Sequence, residues 1–253
     1  MTKLPLARWA WERLERGNVG SQTLLVELID PRPGESVLDV GTGSGGLALL
    51  AARSGARVTG IDVAEDGIER ARARAAEANL DVRFDVGDAQ SLPYANAAFD
   101  VVASTFGVIF ASDHRRAARE IARVCRPGGR LGLTLMPMHS RSGEAISILR
   151  EFGGSDGGDH PAAFADHLGE LLGDAFDLEA RRREVPSESA QVSSWDEALE
   201  QSRRLRALAG ALSPERLADL SARVETHLAY WANEPASYVI VVGRRRGVVA
   251  SQS

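Results

Sequence analysis

Residues Val37 to Gly46 read VLDVGTGSGG. An apolar run passes through Asp39 into glycines at Gly41, Gly43, Gly45 and Gly46, and Leu47 to Ala52 continues as a helix-forming run, LALLAA. The reading is strand, tight loop, helix. Glycine adopts torsions that side chains forbid and lets a ligand approach the main chain. The N–H groups of such a loop, with a helix N-terminus behind them, suit an anion or an extended cofactor. Four glycines in six residues cost chain entropy that a turn binding nothing has no reason to carry.

Two patterns fit this loop. Gly41, Gly43 and Gly46 match the G-x-G-x-x-G dinucleotide fingerprint. Asp39 with Gly41, Gly43 and Gly45 makes D-x-G-x-G-x-G instead.

Outward from the loop, the chain alternates. Glu35 to Val40 is the first strand, and the helix after the loop runs to Ser54 before Gly55. Arg57 to Ile61 is a second strand, with Asp62 at its end, followed by an alanine-rich helix over Ala64 to Ala78. Asp81 to Asp85 and Phe99 to Ser104 are the third and fourth strands, joined by a polar loop through Asp88. A helix over Asp113 to Cys125 stops at Arg126-Pro127-Gly128-Gly129, and Arg130 to Met136 is the fifth strand. This alternation predicts an α/β fold with a doubly wound, mostly parallel sheet. Helices cover both faces, and ligands bind outside the C-terminal strand ends. Asp39, the glycines, Asp62, Asp88 and Ser104-Thr105 all fall at or just after such ends.

The flanks are less regular. Leu6 to Arg16 reads as a helix with Trp9 and Trp11, ending at Gly17-Asn18, and Ser21 to Ile29 as a second helix stopped by Pro31 and Pro33. After residue 137 come a helix over Ser142 to Phe152, a loop over Gly153 to His160, a short helix over Pro161 to Gly173 and a charged strand over Phe176 to Val185. Amphipathic helices over Trp195 to Leu208 and Pro214 to Trp231 precede a last strand, Ser237 to Val242, and a tail from Arg244. The expected organisation is a helical lid at 1–30, a cofactor-binding core at 31–140, a helical cap with one strand at 141–235, and the last strand and tail at 236–253.

The 253 residues carry a net charge of −5, which disfavours nucleic acid and anionic membranes as partners. The single cysteine, Cys125, makes no internal disulfide. Neither a signal-type segment nor a membrane-length apolar run is present, so a cytoplasmic protein is expected. No Cys/His/Asp/Glu set has metal spacing, and no Gly-x-Ser-x-Gly elbow occurs.

Asp62 lies 21 positions after Gly41 (62 − 41), where an acid accepts hydrogen bonds from both hydroxyls of a ribose. The alternative is a cap for the helix that follows it. Asp88, with Ala89 and Leu92 beside it, is placed to accept from an adenine amino group, the alternative being an Asx-turn. Glycine loop, ribose acid and adenine acid describe an adenosine site and leave open what the adenosine carries.

VLDVGTGSGG, GIDVAEDGIERARARA, GDAQSLPYANAAFDVVASTFGVIFASD and IARVCRPGGRLGL stand in that order. Over roughly Pro31 to Pro137 the chain resembles the class I S-adenosylmethionine-dependent methyltransferases, and within them the small-molecule branch similar to ubiquinone and menaquinone biosynthesis enzymes. The resemblance implies a Rossmann-like seven-stranded sheet whose last strand is antiparallel, with S-adenosyl-L-methionine as cofactor. It implies that Gly41, Gly43 and Gly45 form the loop beside the methionine part and that Asp39 orients it. Asp62 would bind ribose, Val63 would touch the adenine, and Asp88 and Ala89 would hold the adenine edge. Ser104 and Thr105 would line the reacting end, and the N-terminal helix would close over the site. Ser104-Thr105-Phe106-Gly107 lacks the Asn-Pro-Pro-Tyr motif of amide and adenine N-methyltransferases.

Methyl transfer from a sulfonium is an in-line displacement that gains most from positioning, and aromatic walls suit its dispersing charge. Phe106 and Phe110 are the candidate substrate-pocket residues. His114 and His139 are candidate bases by position, and neither is assigned as catalytic. The expected function is methyl transfer to a small-molecule acceptor at an undetermined O, N or C atom, by a monomer or homodimer. The alternatives are an NAD(P)-dependent oxidoreductase and a non-catalytic cofactor-binding protein on the same fold.

Overall fold

The computed structural model describes residues 20–153, 158–185, 194–201, 203–232 and 235–247. The expected helix over Leu6 to Arg16, with Trp9, Trp11 and Gly17-Asn18, lies outside the described residues.

The elements in chain order are α1 Ser21–Ile29, β1 Ser36–Val40, α2 Gly46–Ala52, β2 Arg57–Asp62, α3 Glu65–Glu77, β3 Val82–Val86 and β4 Phe99–Thr105. A single 3-10 turn, Val108–Phe110, precedes α4 His114–Val124, β5 Cys125–Leu135 and α5 Arg141–Gly153. The remainder is α6 Ala163–Asp166, α7 Leu168–Leu172, β6 Phe176–Val185, α8 Trp195–Gln201, α9 Arg203–Ala211, α10 Pro214–Tyr230 and β7 Ala236–Arg245.

All seven strands form one sheet in the order β3-β2-β1-β4-β5-β7-β6. β1 through β5 pair in parallel, and β7 runs antiparallel to both β5 and β6. The fold is therefore the expected doubly wound, mostly parallel seven-stranded sheet. β1 shows why: Val37, Leu38 and Val40 are all inaccessible to solvent, because helices cover both faces. Val37 packs with Leu25 and Ile29 of α1 and Leu47 of α2 on one face; Leu38 and Val40 pack with Ile121 of α4 on the other.

The chain order reverses between β1 and β4, the place where doubly wound sheets bind their ligands. Arg130 on β5 closes the opposite end. Its guanidinium donates to the carbonyls of Ile29 (2.8 Å) and Asp30 (3.0 Å), which end α1, and pairs with the Glu35 carboxylate before β1. Gly132, two residues on, leaves room for α1: a Cβ there would meet Ile29 Cγ2 at 2.3 Å.

Four expectations need correction. The Arg126-Pro127-Gly128-Gly129 stop does not precede the fifth strand. β5 already begins at Cys125, paired with Phe99, and the four residues form an irregularity before pairing resumes at Arg130 opposite Val101. The expected helices over residues 161–173 and 195–208 are each two shorter ones. β7 extends to Arg245, so Arg244 and Arg245 pair with Asp177 and Phe176 of β6 and are not a tail.

Within residues 141–235, Phe164, Leu172 and Phe176 pack into the sheet's core beside α4. Phe152 of α5, Leu205 of α9 and Leu220 of α10 form a separate small cluster.

Candidate functional site

The glycine loop is built from its own backbone and two acids. Gly41 N and Thr42 N both donate to the Ile61 carbonyl, at 2.8 and 3.0 Å, which ties the loop to the end of β2. Gly41, Gly43 and Gly45 have φ of +68°, +54° and +82°, the left-handed region that favours glycine. A Cβ at Gly41 would lie 2.5 Å from Gly107 Cα. The loops after β1 and β4 therefore meet backbone to backbone, at the reversal of strand order.

Asp39 sits beneath this loop and is buried. One carboxylate oxygen, Oδ2, accepts from Thr42 Oγ1 (2.7 Å) and the Ala48 N–H (3.2 Å). The other, Oδ1, is buried with no hydrogen-bond partner. Burial pushes the Asp39 carboxyl up to about 6, with hydrogen bonds from Thr42 and Ala48 opposing and the Asp62 charge adding to it.

Asp62 ends β2 and divides its oxygens between two N–H groups. Oδ2 accepts from Gly43 N (2.8 Å) and Oδ1 from Ala64 N (2.9 Å). The same side chain thus braces the glycine loop and the approach to α3. Val63 and Val86, following β2 and ending β3, are exposed at 67% and 50%, high for branched aliphatics beside a crevice.

Asp88 takes the turn geometry held open as the alternative to adenine binding. Its Oδ1 accepts from Gln90 N (2.8 Å), and both oxygens accept from Gln90 Nε2. Gln90 Oε1 in turn accepts from Ser112 Oγ (3.1 Å) and Asp113 N (3.0 Å), so the Asp88–Ala89 loop is fastened to the start of α4. Arg123 of α4 holds the same loop further on, donating to the carbonyls of Leu92 (2.9 Å) and Tyr94 (2.7 Å).

At the end of β4 the structure separates two residues that were expected to act together. Ser104 is fully buried; its hydroxyl donates to the Val40 carbonyl (2.6 Å) and accepts from Val108 N (2.9 Å). It joins β1 to the turn after β4 and does not line a ligand space. Thr105 follows the alternation to the opposite face of the sheet, and its hydroxyl is buried without a partner. Phe106 has φ +57°, unusual for a side chain of its size, and its ring meets Tyr238 of β7 edge-on at 6.1 Å. Phe110 is exposed, on the 3-10 turn.

The two histidines part company. His114 is buried: its Nε2 lies 2.9 Å from the Ile109 carbonyl, and its ring packs edge-on against Phe164 at 5.0 Å. It points into the core because it lies on the buried face of α4 with Ala117, Ala118 and Ile121, and this removes it as a base at the rim. His139 is exposed after β5, and its carbonyl accepts from Arg182 (2.6 Å).

Asp39, Gly41, Gly43, Asp62, Val63, Asp88, Ala89, Thr105 and Phe106 thus stand along one C-terminal rim. Thr42 and Gln90 escaped the sequence reading. Thr42 is a filler position in the glycine motif, and the side-chain fork of Gln90 joins partners 22 and 23 residues away. Cys125 is buried, and burial pushes its thiol up to about 12. Among the described residues, no helix is long and apolar enough to cross a membrane, and no group of three or more His, Cys, Asp and Glu residues could hold a metal ion.

The family model described as Methyltransferase domain matches residues 37–129. A protein of Mycobacterium tuberculosis (strain H37Rv), described as uncharacterized, is 40% identical over 138 residues, covering 54% of this chain and 50% of its own. The 27-O-demethylrifamycin SV methyltransferase of Amycolatopsis mediterranei is 39% identical over 123 residues, covering 47% and 45%. The chain spans about half the length of the curated relatives it matches. Among solved structures, the YcgJ protein of Bacillus subtilis superposes with a TM-score of 0.63 over 90% of this chain and 98% of that one, at 20% identity, a likeness of fold. The stretch from residue 37 to 129, set in this seven-stranded sheet, matches the methyltransferase domain model.

Proposed function

We propose that this chain binds S-adenosyl-L-methionine along the rim of β1 to β4 and transfers its methyl group to a small-molecule acceptor. The observation that carries this reading is that Asp39 and Asp62, from two strand ends, both hold the glycine loop, which is closed against Gly107, while Asp88 follows the neighbouring strand β3.

The residues present fit the cofactor. Asp39 Oδ1 is a buried acceptor without a partner, which suits a cationic ligand nearby. Each Asp62 oxygen takes one N–H and keeps acceptor capacity for a ribose hydroxyl. Val63 and Val86 offer apolar surface to an adenine ring, with Asp88 and Ala89 at its edge. Gly41 and Gly43 present backbone to the methionine part, and Thr105 with Phe106 stands at the reacting end.

When bound, the cofactor supplies an electrophilic methyl group on a sulfonium. The chain's own part is to hold donor and acceptor in line, a positioning effect, and to set the Phe106 ring beside the dispersing positive charge. The acceptor is read as lying above β4 and β5, beneath helices α5 and α8–α10.

Calorimetry tests the reading. S-adenosylmethionine and S-adenosylhomocysteine bind, NAD(H) binds far more weakly, and Asp62→Ala weakens S-adenosylhomocysteine by about 1.5–3 kcal/mol, the range for a hydrogen bond to a charged group. Tight NAD(H) uptake without S-adenosyl uptake rejects the reading, and unchanged affinity in folded Asp62→Ala removes Asp62 from the site.

A further inference from the structure

In the sheet order, β3 and β4 flank β2 and β1, and one side chain joins the loop after β3 to the segment after β4. Gln90 stands two residues after Asp88, and its carboxamide is held at both ends. Oε1 accepts from Ser112 Oγ (3.1 Å) and Asp113 N (3.0 Å). Nε2 donates to Asp88 Oδ1 (3.1 Å) and Oδ2 (3.0 Å). These partners fix which way the amide points. A backbone N–H only donates and a carboxylate only accepts, so the reversed amide would set donor against donor and acceptor against acceptor. The Gln90 main chain is held as well: its N–H donates to Asp88 Oδ1 (2.8 Å), and its carbonyl accepts from Arg116 Nε (2.8 Å).

The far end of this bridge is itself braced. The Ser112 carbonyl accepts from Asp159 N (2.9 Å), Asp159 Oδ2 accepts from His114 N (2.8 Å), and Asp113 Oδ1 caps α4 by accepting from Arg116 N (2.8 Å). Asp88, by contrast, is exposed. An exposed side chain loses rotamer freedom when a ligand fixes it, and that loss weakens binding. Gln90 removes the freedom before a ligand arrives. It also leaves one direction open: Oδ1 accepts from two groups and Oδ2 from one, so Oδ2 keeps acceptor capacity.

We propose that Gln90 is the positioning residue for adenine recognition: it holds Asp88 so that Oδ2 faces the exocyclic amino group of the cofactor's base. The proposal rests on the S-adenosylmethionine reading above and deepens it. Gln90 acts through Asp88 and needs no contact with the cofactor. What it sets is the choice of base. A 6-amino purine donates to the waiting carboxylate and is accepted. A 6-oxo purine brings an oxygen against a carboxylate that is fixed in place, and is refused. A carboxylate free to rotate turns away from that oxygen and discriminates less.

The test is calorimetry with S-adenosylhomocysteine and S-inosylhomocysteine, its 6-oxo counterpart. The wild-type protein prefers the amino compound by about thirtyfold, within the range for a hydrogen bond to a charged group. Gln90→Met, of similar length without polar atoms, lowers that ratio to about fivefold. Ser112→Ala removes one of the two donors to Gln90 Oε1, touches neither Asp88 nor the cofactor, and gives a ratio in between. Asp88→Ala brings the ratio to about twofold or less, and adding Gln90→Met to it changes the ratio no further, as for residues acting in one network. A Gln90 that served the fold alone would shift both ligands together and leave the ratio untouched. A wild-type ratio in folded Gln90→Met, or in Ser112→Ala should Gln90→Met not fold, overturns the proposal. So does equal binding of the two compounds by the wild type. Failure of S-adenosylhomocysteine to bind the wild type overturns the methyl-transfer reading beneath it.

Discussion

Asp39 carries a cost that pH can relieve. Its carboxyl stands at about 6 in the folded protein against an ordinary 3.8, chiefly through burial. A carboxyl raised on folding binds its proton more tightly in the native state, so its contribution to stability is fully present below pH 3.8 and is lost as pH rises through 6. The full loss is (6 − 3.8) × 1.36, about 3 kcal/mol. Integrating the same two values from pH 5 to pH 8 gives about 1.4 kcal/mol within that window. The assay is urea denaturation of the wild-type protein and Asp39→Asn without ligand at both pH values. The amide does not titrate, so the difference between the two proteins removes every other carboxylate. Relative to the variant, the wild type loses about 1.4 kcal/mol on going from pH 5 to pH 8. A bound sulfonium and ammonium stabilise the carboxylate, so S-adenosylmethionine flattens this slope. A difference independent of pH, or one favouring the wild type as pH rises, refutes the placement of an uncompensated carboxylate under the loop.

Two further predictions separate residues that the motif alone treats alike. Gly41→Ala places a Cβ 2.5 Å from Gly107 Cα at φ +68°, whereas Gly43→Ala meets nothing within 4 Å and bears only the left-handed torsion. Gly41→Ala lowers stability by about 3 kcal/mol and Gly43→Ala by about 1 kcal/mol, and thermal denaturation that ranks them the other way contradicts the loop contact. Ser104→Ala leaves the Val40 carbonyl and Val108 N–H without their partner and lowers stability by about 1–3 kcal/mol. Because that hydroxyl faces away from the rim, calorimetry finds S-adenosylhomocysteine affinity within about twofold of wild type in Ser104→Ala. A tenfold loss of affinity in a folded Ser104→Ala protein returns the residue to the cofactor site.

The strand-helix alternation from Val37 to Leu135 was legible because it is local. Runs such as Val37-Leu38 and Val101-Val102 are buried on both faces of a parallel sheet and read as continuous apolar segments. The rim followed from the topology rule once the strands were placed, which is how Asp39, Asp62 and Asp88 were singled out. Side-chain direction was another matter. Ser104 and Thr105 are adjacent and chemically alike, yet strand alternation turns one to the face where it bonds the Val40 carbonyl and the other to the opposite face. His114 sits at the expected position but turns inward, because Phe164, from 50 residues later, forms part of its wall. The pairing of β6 with β7 joins segments more than 50 residues apart and carries Arg244 and Arg245 into the sheet. Local periodicity thus set which segments become strands and helices and which acids stand at strand ends. Which hydroxyl is satisfied, which is stranded, and whether Gln90 ever meets Ser112 and Asp113 depended on contacts between distant segments, and those exist only after the chain has closed on itself.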